Sequence, residues 1–175
     1  MTAETDVPAV SLTEAFPQMA SLADVLRGGR LTVAVAESCT GGLLGAVLTA
    51  LPGSSGFVRG GVIAYADSLK ADLLGVSRHD LAAHGAVSDT VARAMADGVR
   101  QRCRASIGIA ITGVAGPGGS PDKPAGLIYV CVAAPAGVEV RRLEGDRGRA
   151  ANRTRAVQEA LAMCLEAAVA PPPTG

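Results

Sequence analysis

The sequence predicts a three-layer α/β/α sandwich around a mixed, mostly parallel sheet of about five strands, and three observations predict it. LTVAVAES (31–38) and SIGIAIT (106–112) are short, continuously apolar segments with the β-branched content of strands buried on both faces. They alternate with stretches of helical periodicity, the pattern of crossovers between parallel strands. GLIYVCVAA and VEVRRLE, joined by Pro135-Ala136-Gly137, read as an antiparallel pair, so one reversed strand is expected near the end of the sheet.

The elements follow in chain order. Residues 1–10 and the Pro-rich 171–175 read as flexible tails around a single domain over 11–170. Ser11 and Glu14 have capping-box spacing, while Pro17 suits the start of a helix that runs to Arg27 and stops at Gly28-Gly29. After the 31–38 strand, Thr40-Gly41-Gly42 opens a helical segment, LLGAVLTAL, ended by Pro52-Gly53. VRGGVIAY (58–65) is a second strand. DSLKADLLGV then forms a short helix with Asp67 as the expected N-cap, and a helical turn around HDLAAH follows. Ser88 caps a helix that presents Val91, Met95, Val99 and Cys103 on one face. The third strand, 106–112, runs into a loop rich in Gly and Pro, GVAGPGGSPDKPAG, and beyond the antiparallel pair Val157, Leu161, Leu165 and Val169 mark one face of a C-terminal helix.

Composition narrows the function classes. A chain of 175 residues is the size of one domain and can bury roughly 70% of its unfolded surface. Its 16 basic and 16 acidic residues cancel, and with two Phe, two Tyr and no Trp it lacks both the field and the stacking rings of a nucleic-acid binder. No apolar run approaches the ~20 residues of a spanning helix, and the acidic N-terminus does not have the form of a secretory signal. The expected location is cytoplasmic, without membrane association. Cys39, Cys103, Cys131 and Cys164 stand singly in apolar segments, so three are read as buried thiols, with Cys39 kept apart for its neighbours. His79 and His84 are five residues apart without a carboxylate cluster, and no metal site is expected.

Three strand ends carry unusual residues, and parallel strands bring them to one edge, where ligands of open α/β sheets bind. The first is Glu37-Ser38-Cys39-Thr40-Gly41-Gly42, a hydroxyl at the mouth of a helix. Ser38 or Thr40 there is either a helix cap or, given a base, a nucleophile beside free N–H groups. The second is Tyr65-Ala66-Asp67 ahead of Lys70, one of only two lysines in the chain. Lys70 reads either as a solvated surface residue or as a base leaning back toward the strand edge. The third is Thr112-Gly113 with the glycine loop, which suits backbone contact with an anion or is a plain turn; it does not fit a Walker loop or a dinucleotide fingerprint. Arg147, Arg149 and Arg153 offer either phosphate counter-charge or a solvated helix start.

AESCTGG (36–42), YADSLKADLLGV, HGAVSD (84–89), ITGVAGPGGSPDKPAG (111–126) and GDR (145–147), in that order and spacing, resemble the C-terminal domain of the competence/damage-inducible protein CinA, the family that includes the free-standing nicotinamide-nucleotide amidohydrolase PncC. The resemblance covers about residues 17–168. It implies deamidation of nicotinamide mononucleotide to nicotinic acid mononucleotide and ammonia in pyridine nucleotide salvage, without metal or cofactor, by a Ser-Lys dyad. Carried over, Ser38 is the nucleophile, Lys70 its base and Tyr65 a residue ordering the two. Glu37, Cys39, Thr40, Gly41, Gly42, Thr112, Gly113, Ala115 and Gly116 would line the substrate site, with Arg147 and Arg153 near the phosphate. It also implies a homo-oligomer.

This chain departs from the family pattern where Asp67 replaces the usual Asn, three residues before Lys70 and able to pair with its ammonium. The segment from Arg147 to Ala160 is about two residues longer than usual. Two other readings stand beside the amidase. One is a catalytically weak nucleotide-binding or protein-interaction module linked to competence and recombination. The other is a cysteine amidase built on Cys39.

Overall fold

The computed structural model describes residues 11–120 and 122–171. The expected tails lie outside the described residues apart from Pro171. The chain folds as α1 (Leu12–Ala15), α2 (Gln18–Gly28), β1 (Val33–Glu37), α3 (Leu43–Leu48), β2 (Val58–Ile63), α4 (Asp67–Leu74), α5 (Arg78–His84), α6 (Asp89–Arg102), β3 (Ile107–Gly113), β4 (Ile128–Ala134), β5 (Gly137–Leu143) and α7 (Arg149–Val169).

The five strands lie in the order β2-β1-β3-β4-β5. β1 pairs parallel with β2 and β3, β4 runs antiparallel to β3, and β5 runs antiparallel to β4. Four strands thus point one way and β4 alone is reversed. Because β5 points with β3, its carboxyl end delivers the start of α7 to the same edge as the ends of β1, β2 and β3.

Alternation within the buried strands sets the two faces of the sheet. Val33, Val35, Ile107, Ile109, Ile111, Ile128, Val130 and Val132 fill one face against α2, α3 and α7. Ala34, Ala36, Ala110, Cys131 and Ala133 form the other, under α4 and α6. Large residues on one side and small ones on the other let α6 approach closely. A Cβ on Gly108 would overlap the Ala96 carbonyl oxygen of α6, and one on Gly98 would overlap the Leu74 carbonyl of α4. The seat of α4, and with it of Lys70, therefore depends on a glycine in the neighbouring helix.

The caps follow the expected chemistry with two changes. Ser88 Oγ accepts from Val91 N–H at 3.3 Å, and Ser77 caps α5 through His79 and Asp80 N–H. Ser11 accepts from Glu14 N–H at 3.3 Å, but on a separate short helix ahead of the one that begins after Pro17. Asp67 is not the N-cap of α4: Ala66 holds that position, and Asp67 is the first helical residue, its carboxylate engaged by Lys70 instead. The α7 stripe is only half buried. Four-residue steps drift about 40° each around a helix of 3.6 residues per turn, so Val157 and Leu161 are buried while Val169 is 63% exposed. Among the described residues no helix is long and apolar enough to cross a membrane.

Candidate active site

The carboxyl ends of β1, β2 and β3, the loop before α6, the glycine loop and the start of α7 surround a cleft of about 350 Å³, within the range of small-ligand sites. Ser38, Cys39, Tyr65, Asp67, Lys70, Thr112 through Ser120 and Arg149 line it.

Ser38 is 8% exposed and follows β1 directly. Its N–H donates to the Ile111 carbonyl at 2.9 Å, extending the ladder one residue beyond the strand. The turn after it is held from within by Glu37, whose buried carboxylate accepts from Gly42 N–H (3.1 Å), Leu44 N–H (3.1 Å) and Gly45 N–H (2.8 Å). A buried carboxylate is tolerated when charge-assisted donors satisfy it. Gly41 (φ +57°) and Gly42 (φ +94°) supply the left-handed backbone the turn requires. Gly41 N–H donates to the Ser38 carbonyl at 3.1 Å. Thr40 is fully buried, and its carbonyl accepts from Arg153 Nη2 at 2.6 Å. Glu37, Thr40, Gly41, Gly42 and Arg153 are thus the frame that presents Ser38, and none of them lines the cleft.

Lys70 is fully buried, at 1% exposure. Its Nζ lies 3.1 Å from Asp67 Oδ1 and 3.4 Å from the Tyr65 carbonyl. A buried cation left unpaired would be costly, and both partners satisfy it. Tyr65 is 59% exposed, and Arg149 Nη2 donates to its hydroxyl at 3.4 Å. Cys39 also borders the cleft, but burial pushes its thiol up to about 11, against the opposing pull of its own backbone N–H and of Arg149 and Arg153.

The Thr112–Ser120 stretch of the lining begins on β3. Thr112 is buried, and its hydroxyl donates to the Ala86 carbonyl at 2.7 Å, tying the strand end to the loop that brings Ala86 and Val87 to the cleft. A Cβ on Gly113 would stand 2.6 Å from Ile128 Cγ1, so β4 leaves no room for a side chain there. Val114 N–H donates to the Leu127 carbonyl (2.9 Å), and Gly126 N–H donates to the Val114 carbonyl (2.8 Å). Asn152, fully buried in the first turn of α7, donates through Nδ2 to the Ala115 carbonyl (3.1 Å) and to Asp146 Oδ1 (2.8 Å), and accepts from Arg147 N–H (3.1 Å). The Gly148 N–H and then the Asn152 amide hold the Asp146 carboxyl below its ordinary range. Arg149 Nη1 donates to the Gly116 carbonyl at 2.9 Å.

The structure brings Ser38, Lys70, Tyr65, Cys39, Thr112, Gly113, Ala115 and Gly116 to one cleft. It places Arg147 outside: the residue is exposed, and its backbone N–H bonds Asn152. The guanidinium that borders the cleft belongs to Arg149, whose chain comes from the longer segment at the start of α7. Asn152 is invisible to sequence reasoning, since an Asn in an amphipathic helix reads as surface. Among the described residues no three His, Cys, Asp or Glu side chains gather at metal-binding range.

Fold and cleft define a class: an α/β/α domain with a serine hydroxyl and a buried lysine at the carboxyl edge of its parallel strands. The chain belongs to the CinA C-terminal domain family, whose model matches residues 16–168. It is 58% identical over 132 residues to a CinA-like protein of Gemmatimonas aurantiaca, covering 75% of this chain and 31% of that one. With a CinA-like protein of Gloeobacter violaceus it shares 52% over 146 residues, 81% of this chain and 34% of the relative. The chain therefore spans about a third of the length of these relatives. Among solved structures, the competence/damage inducible protein CihA of Agrobacterium tumefaciens superposes with TM-score 0.81 at 38% identity, covering 93% of this chain and 98% of that one. A CinA superfamily protein of Klebsiella pneumoniae gives TM-score 0.85 at 32% identity, over 88% and 97%.

Proposed function

We propose that this chain is an amidohydrolase that converts nicotinamide mononucleotide to nicotinic acid mononucleotide and ammonia, serving pyridine nucleotide salvage. One observation carries the reading: a serine hydroxyl and a fully buried lysine amine, drawn from different strand ends, border the same cleft. Ser38 Oγ attacks the carboxamide carbon while Lys70 takes its proton. Lys70 then returns the proton to the departing nitrogen, ammonia leaves, and water resolves the acyl-enzyme. The N–H groups of Gly41 and Gly42 already serve the Ser38 carbonyl and Glu37, so the developing oxyanion is assigned to the Cys39 amide, which directly follows Ser38 and whose residue borders the cleft. The glycine loop and Arg149 hold the nucleotide end, and Tyr65, bonded to both Lys70 and Arg149, orders the two.

Ammonia release from nicotinamide mononucleotide tests this. Ser38→Ala and Lys70→Ala should each lower kcat by about a thousandfold or more, as loss of a nucleophile or its base does, and robust turnover in either overturns the dyad. The Asp67–Lys70 ion pair favours a second reading, a nucleotide-binding module, because it occupies the base; nucleotide bound tightly with no ammonia formed would establish that. A Cys39 nucleophile is disfavoured by its burial, which keeps the thiol neutral at neutral pH.

A further inference from the structure

Resting on the amidase reading, we propose that Asp67 selects substrates by the charge of their ring: a cationic pyridinium draws the carboxylate away from Lys70, and only then is the base released. Three observations carry this. Lys70 is 1% exposed, and its Nζ donates to the Asp67 carboxylate at 3.1 Å and to the Tyr65 carbonyl at 3.4 Å, both acceptors. Asp67 is 65% exposed and borders the cleft, so one carboxylate meets the buried amine and the open space together. Among the described residues lining the cleft it is the sole acid, while the other formal charges, Lys70 and Arg149, are cations, and Arg149 is tied to Tyr65 and Gly116. On its outer side Asp67 borders a shallow groove with Arg78, which is itself paired with Asp72 at 2.7 Å.

A pyridinium entering this cleft meets one anion and is repelled by the ammonium behind it. Pairing with Asp67 removes the partner that holds Lys70 charged, and the repulsion drives one proton from Nζ to solvent. The neutral amine then accepts the Ser38 Oγ proton as the Oγ–C bond forms and the carbonyl electrons move to oxygen. Collapse breaks the C–N bond with the proton returned to nitrogen. A carboxamide on a neutral ring leaves the clamp closed.

Ser38→Ala protein binds without turnover and isolates the effect. Nicotinamide mononucleotide and its neutral dihydropyridine form carry the same phosphate and differ in ring charge. Calorimetry in buffers of different ionisation enthalpy gives affinity and proton count. The cationic ligand should bind about five- to tenfold tighter, the size of one partly exposed charge pair, and release about one proton per site. Asp67→Asn, close in shape, should abolish the preference, leave the neutral ligand's affinity within about twofold and reduce proton release. With Ser38 present, the same substitution should raise kcat on neutral-ring amides more than on the cationic nucleotide. A preference that survives Asp67→Asn, or equal binding of both rings to the Asp67 protein, overturns the selection and leaves the amidase reading standing. Failure of both nucleotides to bind overturns the amidase reading and this inference together.

Discussion

Replacing Glu37 by Gln separates a structural carboxylate from a substrate contact. Glu37 is 1% exposed, and its two oxygens accept three backbone N–H groups at the start of α3. A glutamine of the same shape keeps one acceptor oxygen but turns an NH2 group toward N–H donors, so one or two buried donors lose their partner. At about 2 kcal/mol for each unsatisfied buried group, the middle of the usual range, the expected loss is roughly 2–4 kcal/mol. For a domain of this size each kcal/mol moves Tm by about 2–4 °C, so a fall of roughly 4–16 °C is expected. Differential scanning calorimetry measures it, with the KM for nicotinamide mononucleotide recorded in parallel. A Tm within about 2 °C of the parent together with a raised KM would refute the reasoning, because it would mean that the carboxylate faces substrate. Glu37→Ala should be at least as destabilising, since it strips all three donors of their acceptor.

Other predictions follow from the packing and from the buried groups. Gly98→Ala drives a methyl into the Leu74 carbonyl and should cost about 1–3 kcal/mol as overpacking; because it shifts α4, kcat should fall more than KM rises, and unchanged kinetics would show that α4 does not set the position of Lys70. Asn152→Ala removes three hydrogen bonds between α7, the glycine loop and residues 146–147, for an expected loss of about 2–4 kcal/mol with a raised KM, read by urea unfolding and steady-state kinetics. Burial raises the thiols of Cys39 to about 11 and of Cys131 and Cys164 to about 12. Since the unfolded thiols ionise near pH 8.5, the stability they contribute is full below that pH and is lost as pH rises toward 11–12; pH-dependent unfolding should show this alkaline fall, and Cys131→Ala or Cys164→Ala should flatten it. Alkylation of Cys39 at pH 8 should be slow in the folded protein and leave ammonia release intact. The depressed Asp146 carboxyl acts in the opposite direction: its contribution is present above the ordinary carboxylate range and fades as pH drops below about 4, which Asp146→Asn should remove.

The strands, most helix starts and the edge that carries the site were legible because local chemistry determines them. VAVAE and IGIAITG alternate large and small residues, and the same alternation that marks a strand buried on both faces also assigns which face takes α6. Ser88 was readable as a cap since an N-cap serine bonds within three residues of itself. Asp67 was misread as a cap by the same local logic. A carboxylate at a helix start can serve either the free N–H groups or a nearby cation, and the buried amine of Lys70 is the stronger partner. Val169 was misplaced because four-residue spacing imitates a helix face over two turns and leaves it over three.

The α/β alternation, the family resemblance, and the convergence of Ser38, Tyr65, Lys70 and the glycine loop on one edge are local properties, since each depends on residues near one another in the chain or on the direction of parallel strands. Which groups face the cleft and which support it depends instead on packing between distant parts of the chain. Glu37 proved to be an internal cap, Arg153 a brace on the Thr40 carbonyl and Arg147 an outer residue, while Asp67 took the charged position beside Lys70 and Arg149 the one at the Gly116 carbonyl. The reason is physical: long charged side chains settle on whichever acceptor or donor the fold brings within about 3 Å, and for Arg153 and Thr40 that partner lies 113 residues away.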